Sequence, residues 1–319
     1  MKLIALEEHA FPRSVIDAAG LDLGRRAARF VDDLDDLDGH RLKIMDAHGI
    51  DMQVLSAGVG GVLQALPADE AVRHCRALND ALTAATSRHP DRYRAFATLP
   101  MSDPVAAARE FERAVRDDGH VGAMIHGQTN GTFLDDTSVE PVLAAAEVLG
   151  VPIYLHPSLP PKTVQTAYFG DLDPDLGAVL AGSGWGWHAE CGMHVLRMAT
   201  TGVFTRHPDL QLIVGHMGEN LPFSLARADT MIGPVLGWRP GQLANTVTSH
   251  VHITTCGYTT TPPLLCTVQV FGADRMLFSV DYPFSDTGPA VEFLRDAPIS
   301  EPDRNKIAYA NAARLLRLS

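Results

Sequence analysis

A regular alternation of strand-like and helix-like segments is the feature that most limits how this chain can fold. Eight short apolar runs have the composition of β-strands, and they cover Lys2–His9, Met52–Ser56, Tyr93–Thr98, Val121–Ile125, Val151–Leu155, Leu210–Val214, Val251–Thr254 and Met276–Ser279. Segments with helical spacing separate them, among them His40–His48, Pro67–His89, Pro104–Asp118, Val139–Leu149, Gly192–Thr200 and Leu221–Ile232. Strands that alternate with helices pair in parallel, so the sequence predicts an α/β fold in which residues 1–319 form a single (β/α)₈ TIM barrel.

Two connections are longer than an ordinary barrel loop. The first follows His9, extends to about Gly39 and holds the acidic run Asp32–Asp38, and the second is a Pro- and Gly-rich insertion, Pro157–Gly186. Long loops after barrel strands commonly form lids over the active site. A doubly wound sheet is the alternative fold, but it usually carries a Gly-rich nucleotide turn, and no G-x-G-x-x-G motif follows the first strand.

The charge, hydropathy and cysteine content argue against several classes of partner. The formal net charge is −12 and Lys and Arg form no cluster, which disfavours nucleic acid as a partner. No segment approaches the run of about 18 apolar residues that a membrane span needs. The four cysteines have neither Cys-x-x-Cys spacing nor the density of a disulfide scaffold, so we expect reduced thiols in a soluble, cytoplasmic protein.

Polar side chains stop four of the eight predicted strands. These residues are Glu7 and His9, which alternation places on one strand face, then His156, His216 and Asp281. Each of them alone has an ordinary structural role, such as a capped core histidine or a turn aspartate. Because the strands of a barrel end at one mouth, the five side chains would converge there as nitrogen and oxygen donors without thiolates, which suits a divalent metal ion. Two carboxylates balance the charge of one such ion, so the sequence predicts a mononuclear site.

Glu219 follows His216 by three residues in a Gly-flanked turn. Its carboxylate is close enough to hold and polarise the imidazole, which would make His216 an acid or base in catalysis. Glu219 would also be favourable as an acid near the start of the predicted helix Leu221–Ile232, and both roles can hold together. On that helix, Arg227 is a candidate for pairing with a substrate carboxylate, and a surface salt bridge is the alternative.

Aromatic and imidazole side chains near the predicted mouth suit a planar, apolar substrate. Trp185 and Trp187 lie in the long insertion with His188 next to them, and packing at a subunit contact is the alternative role for the tryptophans. His126 ends the fourth predicted strand and points toward the same mouth, where it would be able to touch a substrate.

The ordered set of strand-end motifs resembles the amidohydrolase superfamily. The motifs are Leu6-Glu7-Glu8-His9, Tyr154-Leu-His156-Pro157, Val214-Gly-His216-Met-Gly-Glu219-Asn-Leu-Pro222 and Phe278-Ser-Val-Asp281-Tyr-Pro-Phe284. Within that superfamily, the chain is most similar to the metal-dependent, non-oxidative decarboxylases related to aminocarboxymuconate-semialdehyde decarboxylase, especially the γ-resorcylate, 2,3-dihydroxybenzoate and 5-carboxyvanillate decarboxylases. The similarity extends to Asn311-Ala-Ala-Arg314 near the C-terminus, so it covers almost the whole chain.

This resemblance implies roles for individual residues. One Mn²⁺ or Zn²⁺ ion would be bound by Glu7, His9, His156 and Asp281, with His216 beside the metal. In that family the counterpart of Asp281 is proposed to protonate the ring carbon that bears the carboxylate, after which CO₂ leaves. The substrate would be a small aromatic carboxylate, and the residues that would contact it are Arg227, Trp187, His188, His126 and Phe284. Homodimers or homotetramers are usual in the family.

The sequence therefore favours decarboxylation of a hydroxylated aromatic acid, with two alternatives. In the first, a hydrolase such as a lactonase, water activated by the metal would attack a carbonyl with His216 or Asp281 as base. In the second, a binding protein, the metal would be structural, and the open barrel mouth that we expect argues against this. Many amidohydrolases begin with His-x-His, whereas this chain has Glu7-x-His9. The additional anion lowers the Lewis acidity of the metal, which disfavours hydrolysis.

Overall fold

The strands of this computed structural model, which describes residues 1–58 and 60–318, pair in parallel. They are β1 Ile4–Ala10, β2 Met52–Ala57, β3 Tyr93–Ala95, β4 Ala97–Thr98, β5 Ala123–His126, β6 Ile153–His156, β7 Leu212–Val214, β8 Val251–Thr254 and β9 Met276–Leu277. One sheet has the order β1-β2-β3 and the other has the order β4-β5-β6-β7-β8-β9. This consecutive parallel order is the one predicted for a (β/α)₈ barrel.

Two details connect the sheets in barrel order. The predicted strand Tyr93–Thr98 is present as β3 and β4, and it is interrupted at Phe96, whose N–H donates to the Leu55 carbonyl of β2. Because β3 pairs with β2 and β4 pairs with β5, one continuous segment contacts both neighbours. At the other end, a parallel bridge between Leu6 and Ser279 links β1 to the segment that follows β9.

Helices occupy the connections between the strands. They are α1 Arg13–Ala19, α2 Gly24–Ala28, α3 Val31–Asp35, α4 His40–His48, α5 Gly60–Gln64, α6 Ala68–Arg88, α7 Pro104–Arg116, α8 Glu140–Leu149, α9 Lys162–Phe169, α10 Pro174–Ala181, α11 Gly186–Thr200, α12 Val203–Arg206, α13 Leu221–Ile232, α14 Gln242–His250, α15 Thr261–Phe271, α16 Thr287–Asp296, α17 Glu301–Asn305 and α18 Asn311–Leu315. Short 3₁₀ segments are Thr137–Val139, His216–Gly218 and Ala273–Arg275, and Lys306–Ala310 is a π-helical turn. No helix in the described part of the chain is long and apolar enough to cross a membrane.

The long insertion, predicted as a loop, contains two helices, α9 and α10. The start of α10 shows why the prediction was wrong. Pro174 occupies its first turn, and the Asp173 carboxylate accepts the N–H groups of Asp175 and Leu176. Proline at the beginning of a helix and an aspartate cap are both favourable, so this proline marks a helix start rather than a loop.

The helix that follows the insertion begins earlier than predicted. It starts at Gly186 rather than near Gly192, which places Trp187 and His188 on the first turn of α11 and not in a loop. A regular helix holds these two side chains more rigidly than a loop would, because α11 also packs its buried face against the barrel.

The interior of the barrel is filled by apolar side chains that the strands point inward. This central cluster includes Ile4, Leu6, Val54, Phe96, Met124, Tyr154, Ile213 and Leu277. Two further apolar clusters fill the space between the strands and the surrounding helices. The strands are therefore fixed from both sides, and the polar side chains at their carboxyl ends are carried on rigid elements.

Candidate functional site

The carboxyl end of β1 presents Glu7 and His9 together, although simple strand alternation fails there. The register between β1 and β2 shifts between Ala5 and Glu8, and Glu7 has a left-handed backbone with a φ of 59°. Such a conformation is uncommon for a residue other than glycine, and it persists where the surrounding structure enforces it. Glu7 and His9 therefore reach the same site through a strand irregularity, and not through regular alternation as predicted.

Glu8 lies between them and takes a different environment. Its carboxyl group accepts the Val280 N–H at 2.8 Å and the Gln53 amide at 3.2 Å. Burial raises the pKa of Glu8 well above its usual value, which favours the protonated form of this side chain. It fastens β1 to the segment that carries Asp281 and is not one of the metal donors.

The four predicted metal ligands lie next to one another. His156 Nε2 is 3.2 Å from Glu7 Oε1, and His9 Nε2 is 3.2 Å from Asp281 Oδ1. The rings of His9 and His156 meet edge to face, with their centroids 5.3 Å apart. One donor atom from each of Glu7, His9 and His156 lies within 4.8 Å of the other two. We call these four residues the donor cluster.

Two buried atoms of the donor cluster have no hydrogen-bond partner among the described residues. They are Glu7 Oε1 and His9 Nε2, and leaving such atoms unpaired is unfavourable. Burial by itself would raise the pKa of Glu7, but His216, followed by His156 and His9, holds it well below its usual range. An anionic oxygen beside the unpaired nitrogen of His9 and the imidazole of His156 is a donor set that Mn²⁺ and Zn²⁺ accept, so these residues fit a divalent metal ion.

The second oxygen of Glu7 is held by Tyr154 and Cys256. The Tyr154 hydroxyl donates to Glu7 Oε2, and the Cys256 thiol donates to the same atom at 2.7 Å. The Thr254 hydroxyl lies 2.9 Å from the Tyr154 hydroxyl and 3.2 Å from the Cys256 sulfur. Burial raises the pKa of Cys256 to about 12 and that of Tyr154 well above its usual value, so both groups keep their protons and donate them. Oε1 of Glu7 is thereby left to face His156, where it would be available to a metal ion.

Sequence reasoning did not identify Tyr154 or Cys256. Tyr154 precedes His156 by two residues in β6, so alternation places both on one strand face, and this signal would have been sufficient to find it. Cys256 lies two residues beyond the end of β8, in a segment where the sequence offers no motif.

We expect the Tyr154→Phe substitution to weaken metal binding about tenfold, because partners that orient a metal ligand typically contribute about 10–100-fold in affinity. Phenylalanine keeps the ring in the core but removes the hydroxyl that holds Glu7 Oε2. Titration of metal-free protein with Mn²⁺, followed by electron paramagnetic resonance, measures the dissociation constant. Tyr168→Phe, at an exposed position on α9, is the control and should bind Mn²⁺ like the wild type. An unchanged constant for Tyr154→Phe would contradict the assigned role.

The turn after β7 has an unusual backbone. His216, Met217 and Glu219 have left-handed φ values of 48°, 55° and 51°. Gly218 lies among them with a φ of 90°, and a Cβ atom at this position would come within 2.6 Å of Ile253 Cδ1. The turn therefore requires glycine, and it gathers several uncommon conformations in one place, as functional segments often do.

The predicted pair of His216 and Glu219 is present and adjoins the donor cluster. His216 Nδ1 is 2.6 Å from Glu219 Oε1, and His216 Nε2 is 4.0 Å from both Glu7 Oε1 and Asp281 Oδ2. A carboxylate on Nδ1 keeps a proton there and leaves Nε2 directed at the cluster. Burial alone would lower the pKa of His216, but the neighbouring carboxylates of Glu219 and Glu7 raise it well above its usual value. A dication bound by Glu7 would instead lower the pKa of His216.

Glu219 also holds a second imidazole, that of His188. His188 Nδ1 is 2.5 Å from Glu219 Oε2, and the Trp187 indole N–H donates to His188 Nε2 at 3.1 Å. The Trp187 ring lies with its centroid 6.3 Å from that of His156. Trp187 is therefore at the edge of the donor cluster, whereas His188 contacts the acid of the His216–Glu219 pair.

Two other groups of buried side chains have the spacing of a metal site. They are Glu7 with His216 and Cys256, and His188 with His216 and Glu219. In the first group the Cys256 thiol retains its proton and donates it to Glu7. In the second group the donor atoms are already bonded to one another, at 2.5 and 2.6 Å. In both groups, therefore, donor atoms are already bonded to a partner within the group.

The remaining predicted substrate contacts are divided between the site and the surface. The His126 ring is tilted against that of His156, with the two centroids 4.5 Å apart, and burial lowers the pKa of His126 well below the usual value, so it is neutral. The Ala57 carbonyl is near, but neither ring nitrogen of His126 has a hydrogen-bond partner among the described residues. The centroid of the Phe284 ring lies 5.5 Å from that of the His9 ring. Arg227 is exposed on α13 and forms no ion pair with a described residue.

The barrel mouth is more closed than we expected from the sequence. The Asp281 side chain is 15% exposed and that of Glu7 is fully buried. Phe284 packs against Phe30 from the long connection after β1, with ring centroids 5.4 Å apart, while α11 brings Trp187 to another edge of the cluster. These contacts cover part of the mouth, so it is narrower than the open mouth that we expected. The expectation missed them because they join segments that are far apart in sequence.

The whole chain is similar to known decarboxylases. The γ-resorcylate decarboxylase of Rhizobium radiobacter is 37% identical, with 99% of this chain and 98% of that protein covered. A dihydroxybenzoic acid decarboxylase from Polaromonas sp. JS666, crystallised with manganese and the inhibitor 2-nitroresorcinol, superposes with a TM-score of 0.89 at 34% identity over 99% of this chain and 97% of that one. The 5-carboxyvanillate decarboxylase of Sphingomonas paucimobilis gives a TM-score of 0.90 at 31% identity, covering 100% and 99%.

The fold predicted from the sequence is confirmed by these neighbours, which share it over their full length. The sequence profile of the amidohydrolase family matches residues 19–318, a span that contains His156, His216 and Asp281. The relatives that match almost the entire chain are decarboxylases, in agreement with the resemblance drawn from the motifs. On this evidence the chain belongs to the amidohydrolase family.

Proposed function

We propose that this protein catalyses the metal-dependent, non-oxidative decarboxylation of a hydroxylated aromatic carboxylic acid, with residues 1–319 acting as a single barrel domain. One observation carries the proposal. Glu7 Oε1 and His9 Nε2 are buried without partners beside His156 and Asp281, in a chain whose close relatives are decarboxylases of such acids. The four cysteines are free thiols, which is consistent with a cytoplasmic location.

The residues that would hold one Mn²⁺ or Zn²⁺ ion are Glu7, His9, His156 and Asp281. When bound, the ion would neutralise the charge of the substrate's carboxylate and adjacent phenolic oxygens and would hold the ring in a fixed orientation. Tyr154 and Cys256 support this by turning Glu7 Oε1 toward its neighbours.

In the proposed mechanism, Asp281 and His216 transfer the proton to carbon. Asp281 Oδ2 would receive a proton from the protonated His216 imidazole and pass it to the ring carbon that bears the carboxylate. The bond between this carbon and the carboxylate then breaks, its electron pair returns to the ring, and CO₂ leaves. His216 Nε2 lies 4.0 Å from Asp281 Oδ2 and would restore the proton, while Glu219 keeps His216 oriented.

The side chains around the donor cluster suit an aromatic substrate. Trp187 and Phe284 offer apolar ring faces beside His156 and His9. His126 is neutral, buried and without a hydrogen-bond partner among the described residues, so it would be able to donate to or accept from a ring substituent. We propose all three as substrate contacts.

The test is a panel of acids combined with elemental analysis. Purified protein should contain one Mn²⁺ or Zn²⁺ per chain and release CO₂ from at least one of 2,6-dihydroxybenzoate, 2,3-dihydroxybenzoate and 5-carboxyvanillate. Benzoate, which lacks the hydroxyl, and protein stripped of metal serve as controls. Hydrolysis of lactones without CO₂ release would favour the hydrolase instead, and a fully metal-loaded protein that acts on neither would refute the proposal.

We further propose that the chain forms a homodimer or homotetramer. Phe223 and Met231 are 88% and 53% exposed on α13, and Arg227 lies between them at helical spacing. An exposed apolar stripe of this kind is typical of a contact between subunits. Arg227 makes no contact with the donor cluster of its own chain, so as a substrate anchor it would have to act across such a contact. Light scattering should give a multiple of the 34.4 kDa chain mass.

A further inference from the structure

Glu219 is a buried carboxylate shared by two imidazoles from different elements. Its Oε1 is 2.6 Å from His216 Nδ1 and its Oε2 is 2.5 Å from His188 Nδ1. The Glu219 side chain has no solvent exposure, so water does not compensate its charge. His216 belongs to the turn after β7 and His188 to the first turn of α11, which means that two separate segments meet at this one side chain.

We infer that His188 is a positioning residue for the proposed decarboxylation: it holds Glu219 so that Glu219 can hold His216 with Nε2 toward the donor cluster. This inference rests on the proposed function. It differs from the expectation that His188 contacts substrate, and it assigns to α11 a role in the geometry of the acid–base pair.

The backbone contact between the two segments supports this role. α11 lies directly against the turn, because a Cβ atom on Gly192 would come within 2.4 Å of the Glu219 carbonyl oxygen. The turn itself has left-handed conformations at His216 and Glu219 and needs support from its neighbours. α11 therefore braces the turn at two points, with the backbone at Gly192 and with the side chain of His188.

The charge state of Glu219 depends on both imidazoles. Burial by itself would raise the pKa of Glu219, but His216 and the hydrogen bond from His188 lower it below its usual value. A carboxylate deprived of the His188 donor would have one buried oxygen without its present partner. It would then turn away or take a proton, and either change would loosen its hold on His216 Nδ1.

The other nitrogen of His188 is engaged as well. His188 Nε2 accepts the Trp187 indole N–H at 3.1 Å and lies 3.0 Å from the Ser183 carbonyl oxygen. With Nδ1 on Glu219, both ring nitrogens of His188 are in use within the protein. A direct hydrogen bond to substrate would require one of these contacts to break, so a supporting role fits the arrangement better.

Two substitutions separate this role from a merely structural one. His188→Leu fills the space but donates nothing, whereas the amide nitrogen of His188→Asn can take the place of Nδ1. We expect His188→Leu to lower kcat about 10–100-fold, the range typical for partners that orient a functional group, with metal content unchanged. KM should change less than about threefold, because the substrate contacts remain. His188→Asn should recover most of kcat, and Met193→Leu on the exposed side of α11 is the control.

Nuclear magnetic resonance of the Zn²⁺-loaded protein tests the geometry without turnover. Both short Nδ1–H···O bonds to Glu219 should give downfield proton signals in the wild type. His188→Leu should lose one signal and shift that of His216, and His188→Asn should leave the His216 signal near its original position. Equal kcat losses in the Leu and Asn variants, a raised KM as the main defect, or an unshifted His216 signal would each overturn the inference.

The two proposals fail in distinguishable ways. If the wild type releases no CO₂ from any acid, the proposed function fails while the magnetic resonance comparison still tests the link from His188 to His216. If the wild type is active and the His216 signal is the same in the wild type and in His188→Leu, only the proposed role of His188 fails.

Discussion

The Asp281→Asn variant should lose turnover by about 10²–10⁴-fold, the range expected when a group that transfers a proton in the transition state is removed. Asparagine has nearly the same shape, but it carries neither the negative charge nor an exchangeable carboxyl proton. Asp281 Oδ1 is 3.2 Å from His9 Nε2 and Oδ2 is 4.0 Å from His216 Nε2, so in the proposed mechanism this one side chain would serve both the metal and the proton path. We therefore expect metal affinity to fall as well, about 10–100-fold.

Measurements of kcat at saturating Mn²⁺ and of the Mn²⁺ dissociation constant separate these two effects. Saturating metal should restore occupancy in the Asp281→Asn variant without restoring turnover. Asp286→Asn is a matched control, because Asp286 is an exposed aspartate five residues further along the same segment, and it should behave like the wild type. Turnover retained in Asp281→Asn at full metal occupancy would remove Asp281 from the proposed mechanism.

The meeting of strand-end side chains from β1, β6, β7 and β9 was predictable because it follows from topology, although Glu7 joins His9 there only through the irregularity in β1. Parallel strands in barrel order bring their carboxyl ends to one mouth, so polar residues at those ends become neighbours whatever the loops do. The pairing of His216 with Glu219 was predictable for a similar reason, since a spacing of three residues keeps both side chains in one turn.

The contacts that these orienting groups make with Glu7 were beyond the reach of local patterns, although alternation along β6 would have pointed to Tyr154 itself. Tyr154 is 147 residues from Glu7 along the chain and Cys256 is 249 residues from it, yet both hold Glu7 Oε2. The left-handed backbone of Glu7 accompanies the register shift in β1. It was not predictable from the residue type, because glutamate has no tendency to adopt that conformation. Contacts of this kind depend on the packed fold.

The placement of α11 shows the same limit with a functional consequence. Proline and glycine in the insertion were interpreted as loop residues, which left Trp187 and His188 without a defined orientation. In the structure they lie on the first turn of a helix whose packing sends one ring toward His156 and the other toward Glu219. Two adjacent residues with the same predicted role therefore have different contacts, and we propose different roles for them.

The His216→Ala variant should keep its metal and lose activity by about 10²–10⁴-fold, the usual contribution of a general acid or base. The donor cluster does not need His216, because its Nε2 is 4.0 Å from both Glu7 Oε1 and Asp281 Oδ2, whereas His156 and His9 approach those carboxylates to 3.2 Å. Its tight contact, at 2.6 Å, is with Glu219 instead.

Elemental analysis and the Mn²⁺ dissociation constant, measured together with CO₂ release, test this separation of binding from chemistry. His40→Ala removes an exposed histidine and is the control for loss of an imidazole. Metal bound near the wild-type level in an inactive His216→Ala protein would assign His216 to proton transfer. Complete loss of the metal would instead make His216 a ligand, and the carboxylate of Glu219 would then serve to orient and polarise a metal-bound imidazole.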